Sequence, residues 1–138
     1  MKKIVYILLV TTLSISCSSD DDSGEPVQNS ISPPDWIQGE WLQQNGDSTI
    51  QNGFKFTTDD FLTVQSSFNT SYKEQVEVSS NADASTNVDE IKSENEYKIE
   101  INFSGQIVKY YFEKKSESVL EWTNDPLGDL SETLFTKQ

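Results

Sequence analysis

The side chains that could do chemistry in this chain are nearly all carboxylates. It has one cysteine, no histidine and, along its whole length, no arginine, so every cation is a lysine. Ser–His–Asp and Cys–His catalysis, thiolate metal sites and arginine phosphate clamps are therefore excluded. No glycine-rich phosphate loop is present either. Carboxylate pairs and oxygen-ligated calcium survive this elimination. Asp59 and Asp60 in "TTDDF", and Asp125, Asp129 and Glu132 in "NDPLGDLSE", are the local acid clusters of the folded part. Neither has the D-x-[DN]-x-[DN]-G spacing of a calcium loop. Asp, Asn, Pro and Gly are the residues turns need, so both clusters read as turns. No catalytic residue, metal or other cofactor is expected.

The remaining reactive group is the thiol of Cys17. It ends the stretch "MKKIVYILLVTTLSIS", in which Lys2 and Lys3 precede an unbroken apolar run from Ile4 to Val10. That is the layout of a secretory signal peptide, with an apolar core too short to span a bilayer as a stable helix. Leu13-Ser14-Ile15-Ser16-Cys17 resembles the lipobox of bacterial lipoproteins. The resemblance implies that residues 1–16 are removed, that Cys17 is acylated and that a further acyl chain is added to the new N-terminus. A lone exported thiol with no disulfide partner fits such a fate. Several acyl chains, at about 0.8 kcal/mol per buried methylene, make a permanent anchor.

Behind the thiol, "SSDDDSGE" resembles the acidic export signal that some Gram-negative bacteria place after a lipidated cysteine. By that resemblance Asp20, Asp21 and Asp22 direct the protein to the outward face of the outer membrane. Read only as residues, the same run is a solvated tether held off the lipid by charge. The tether is expected to cover residues 17–34, rich in Ser, Pro and polar side chains, with a reach of roughly 23 Å. Losing Lys2 and Lys3 with the signal moves the formal charge from −13 to −15. Such a surface repels phosphate backbones, so no nucleic-acid partner is expected.

What must position any site is one domain, residues 35–138, long enough for a single core. Its hydrophobic pattern has period two. "YKIEINF" puts Tyr97, Ile99, Ile101 and Phe103 on one face, and "IVKYYFEKK" puts Val108, Tyr110 and Phe112 on one face. A link containing Gly105 joins them as a hairpin, and "VLEWT", with Leu120 and Trp122, completes a meander. "EWLQQ", "GFKFT", "FLTVQ", "YKEQVEV" and "SETLFTK" read as further strands, with "NVDEIKS" as one more. No window has convincing helical period. About eight short antiparallel strands imply an all-β barrel or sandwich, because an open sheet would leave long edges exposed.

Gly39-Glu40-Trp41, at the head of the first strand, resembles the G-x-W opening of the lipocalin-like (calycin) barrels. The resemblance implies a small antiparallel up-and-down β-barrel whose floor is closed by Trp41, with a basic side chain of the last strand, here Lys137, over the ring. Arginine is usual in that family, and the second and third lipocalin signatures are not visible.

Two readings of the interior follow. In one, the inward rings simply fill the barrel, and the protein is an accessory or interaction subunit of the cell envelope. The polar stretch from Ser79 to Glu96, longer than a hairpin turn, would then be a mobile surface feature. In the other, Tyr72, Glu74, Tyr97, Tyr110 and Trp122 line a cup for a small apolar or amphipathic ligand. Glu74 carries that reading: on a strand it shares the inward face of Tyr72 and Val76, where a carboxylate needs a partner, a ligand or water.

Overall fold

A computed structural model describes residues 29–43, 51–66, 68–128 and 133–138. Nine strands run in chain order: β1 (Gly39–Gln43), β2 (Asn52–Phe56), β3 (Phe61–Gln65), β4 (Phe68–Ser71), β5 (Asn87–Lys92), β6 (Glu96–Phe103), β7 (Gln106–Lys114), β8 (Val119–Trp122) and β9 (Leu134–Lys137). Between β4 and β5 lies a helix, α1 (Tyr72–Ala82). All strand pairs are antiparallel and form one curled sheet in the order β4-β3-β2-β1-β9-β8-β7-β6-β5. This is the cyclic order of an up-and-down barrel, opened between β4 and β5. The fold is all-β and lipocalin-like in plan, as the strand pattern and the G-x-W resemblance lead one to expect.

The strongest strand pair is the one whose alternation is cleanest. Tyr97, Ile99 and Ile101 of β6 are fully buried, while Lys98 and Glu100 between them are half-exposed. β7 pairs along its length with β6, from Glu96 opposite Glu113 to Phe103 opposite Gln106. Ser104 and Gly105, both at positive φ, make the tight turn between them. Phe54 and Phe56 of β2, Phe61 of β3, Phe112 of β7, Leu120 of β8 and Phe135 of β9 point into the same core.

The segment "YKEQVEV" is not a strand. Residues 72–82 form α1, which packs against β3 and β6 across the opening between β4 and β5. The sequence carries a signal for this: Ser71-x-x-Glu74 is a capping-box pattern, and the Ser71 hydroxyl accepts the Glu74 amide at 3.1 Å. Asp60 strengthens the same helix start, accepting the Lys73 amide at 2.9 Å and the Ser71 hydroxyl at 2.7 Å. Tyr72 and Val76, one turn apart, bury themselves in the core, and apart from Val78 and Ala82 the rest of the helix is polar. At its end the Asp83 amide bonds the Ser79 carbonyl, and the buried Thr86 hydroxyl lies 2.7 Å from that of Ser79. The stretch 79–96 is therefore the last turn of α1, a short turn at 83–86, the strand β5 and a second short turn into β6, not one long loop.

The folded part also begins earlier than residue 35. Ile31 is 3% exposed within the core, and Pro33 is buried. This strap continues through a turn in which the Ile37 amide donates to the Pro34 carbonyl at 3.1 Å. The rest of the expected tether, up to residue 28, lies outside the described residues.

Candidate functional site

The G-x-W constellation forms as a unit. Trp41 is fully buried, and its indole N–H donates to the Ile37 carbonyl at 2.6 Å. Lys137 stands directly opposite it, on β9. The lysine Nζ lies 5.0 Å from the centre of the indole ring, a cation–π contact. Gly39, at φ +125°, leaves room for this: a Cβ there would sit 2.9 Å from Lys137 Cε. A lysine thus occupies the place where the family resemblance puts an arginine.

The strap is fastened beside this floor by a buried carboxylate that the sequence pattern does not reveal. Glu90 of β5 has a side chain only 2% exposed. It accepts the Ser32 amide and hydroxyl, each at 3.0 Å, and the Tyr97 hydroxyl at 2.6 Å. Lys92 Nζ reaches the same carboxylate at 2.8 Å and Ser32 Oγ at 2.6 Å. Four donor groups converge on one charge, the arrangement that makes a buried carboxylate tolerable. Trp36 adds a second fastening, its indole N–H donating to the Ser93 carbonyl at 2.8 Å. It belongs to the folded strap, not to the end of a linker.

The five residues expected around a ligand do not converge. Tyr110 alone links two of the others, Tyr72 on one side and Trp122 on the other. The Tyr72 ring stacks on Phe61 at 4.8 Å, and its hydroxyl lies 2.5 Å from that of Tyr110. Trp122 stacks on Tyr110 at 5.4 Å and donates its indole N–H to Asn124 Oδ1 at 2.8 Å. Tyr97 lies apart from them, its hydroxyl committed to Glu90.

Glu74 is not inside the barrel. On a helix it falls away from Tyr72 and Val76 and is exposed, as is Val78 at 72%. It lines an open cleft of about 560 Å³ between α1 and β4, with Phe103 and Val78 among the apolar walls. The acid clusters take structural parts: Asp59 pairs with Lys73 at 2.6 Å, and Asp125 accepts the Leu127 amide at 2.8 Å. Asp129, Glu132, Cys17, Asp20, Asp21 and Asp22 lie outside the described residues.

Burial has a consequence for the phenols. Desolvation, then the bond to Tyr110, holds the Tyr72 hydroxyl well above the usual tyrosine range; desolvation, then the Glu90 charge, does the same for Tyr97. A pKa raised in the folded state contributes stability that is present below the unfolded value, near 10, and lost as pH rises above it. Both groups should therefore ionise only as the domain unfolds in alkali. The phenolate absorbance step should coincide with loss of the circular-dichroism signal. A separate, earlier step for these two tyrosines, located with Tyr72→Phe and Tyr97→Phe, would refute this.

Compared with family models, curated proteins and solved structures, the chain matches none.

Proposed function

We propose that this chain is a lipid-anchored lipoprotein of the outer membrane whose small barrel is non-catalytic and works through its outer surface, as an interaction module of the cell envelope. The anchor rests on Cys17 and the signal-like segment before it, and the outward placement on Asp20, Asp21 and Asp22. The observation that carries the surface reading is the state of the interior. Phe54 contacts the rings of Phe56, Phe61, Tyr110, Phe112, Trp122 and Phe135, all within 6.4 Å between centroids. The two phenols that could orient a ligand there satisfy each other. Among the described residues, side chains thus occupy the centre of the barrel, where a carrier would hold its cargo.

A second reading keeps a small amphipathic ligand but moves it outside the barrel. The cleft between α1 and β4 combines Phe103 and Val78 with Glu74, apolar walls with one charge. Titration with an environment-sensitive apolar dye separates the two. The surface reading expects no saturable uptake, whereas binding abolished by Phe103→Ala would favour the cleft.

The anchor is tested in a Gram-negative host that exports such lipoproteins. Cys17→Ala should move the protein from the membrane pellet to the soluble fraction. Replacing Asp20, Asp21 and Asp22 by alanine should keep it in the membrane but hide it from protease added to intact cells. A mutant at Cys17 that still pellets at wild-type level removes the anchor from the proposal. Unchanged digestion of the triple variant reduces the acid run to a tether.

A further inference from the structure

We infer that the outer face of β5, β6 and β7 is a docking surface for an extended, lysine- or arginine-bearing segment of a partner protein. This rests on the surface-module reading above and gives its partner a chemistry. Register sets three rows across that face. Asp89, Glu100 and Lys109 stand side by side; next come Ile91, Lys98 and Tyr111; then Glu96 and Glu113, continued by Glu121 on β8. Like charges directly opposite each other weaken a sheet. Asp89 against Glu100, Glu96 against Glu113, and Glu113 against Glu121 are three such pairs. The lysines offset them only in part, three cations against five carboxylates: Lys109 holds Glu100 at 2.7 Å, Lys98 reaches Glu96 at 3.5 Å, and Lys115 divides itself between Glu113 at 3.2 Å and Glu121 at 2.8 Å.

Between the two acidic rows runs a groove of about 490 Å³. Ile91, 63% exposed, lies in it, and the Tyr111 ring lies beneath Lys98 Nζ, which is 5.9 Å from the ring centre. An apolar side chain is thus left in water amid carboxylates that already repel one another. A partner can relieve both conditions at once. Alternate residues of an extended chain recur about every 6.8 Å, the spacing of the rows themselves. A segment with a cation, an apolar residue and a cation at every second position would set each cation over an acidic row and its apolar residue over Ile91. The chain's formal charge of −13 disfavours a second copy of itself as occupant.

The test uses the full-length chain purified in detergent and a fluorescent peptide alternating lysine, threonine, valine, threonine and lysine. A glutamate-for-lysine version is the control. Anisotropy should show saturable binding of the lysine peptide alone, weakening as salt is added. The Asp89→Asn/Glu96→Gln variant should bind about tenfold more weakly, and Ile91→Ser should also lose affinity. The double variant should unfold at about the same denaturant concentration as the parent, because the two like-charge contacts it relieves are set against one exposed bridge, Lys98 to Glu96, that it loses. No binding at low salt, or equal binding by the double variant, overturns the inference. The surface reading itself fails on a different measurement, saturable apolar-dye uptake.

Discussion

Gly53→Ala should destabilise the domain by more than about 3 kcal/mol, toward the upper end of what an overpacking substitution costs. Gly53 of β2 stands opposite Leu42 of β1 and Val64 of β3, in the middle of the sheet. A Cβ there would lie 2.0 Å from the Trp41 carbonyl oxygen and 3.0 Å from Leu42 Cα. Both are backbone atoms, so no side chain can swing aside to make room. The only relief is to push β1 away from β2, and β1 carries Trp41. Chemical denaturation measures the loss directly. A variant within 1 kcal/mol of the parent, judged against the scale of ordinary surface changes, would mean that the two strands are not in contact as described.

Trp41→Ala should cost about 3–5 kcal/mol, the usual range for truncating a large buried aromatic ring. The ring is fully buried, its N–H bond to Ile37 holds the strap over the floor, and it is the platform for Lys137. Trp36→Ala should cost about 1–2 kcal/mol, for one exposed hydrogen bond and a ring that packs only partly against the core. The order of the two losses is the decisive quantity in the same denaturation experiment. Equal losses would deny Trp41 its place as the floor of the barrel.

The strands that could be read from sequence are those whose burial is decided by alternation alone. In β6 and β7, tyrosine, isoleucine and phenylalanine at every second position leave no other face to bury. Lys137 over Trp41 was legible by a different route, the resemblance of Gly39-Glu40-Trp41 to a known barrel opening. Helix α1 was obscured because only Tyr72 and Val76 face the core, too few for a visible helical stripe. Four residues apart, they also share one face of a strand, so either period accommodates them. Taken as a strand, the segment necessarily puts Glu74 on the buried face. The Ser71-to-Glu74 capping pattern was the signal that separates the two. Glu90 was hidden for another reason. A glutamate in a polar strand reads as solvated, and the donor that most changes its surroundings, Ser32, is 58 residues away.

The position of β9 has a consequence for the order of folding. It is the only described strand joining the two halves of the sheet, β1 to β4 on one side and β5 to β8 on the other. It is also the last of the described strands in chain order. Until residues 134–137 pair, β1 has no neighbour on that side, and the floor lacks Lys137. Pairings between chain ends are slow to form, because a long loop must close before they contribute anything. Until β9 docks, β1 to β4 and β5 to β8 are therefore two separate halves of a sheet, with no described strand to hold one against the other. Four residues, 134–137, thus decide whether the two halves are one domain.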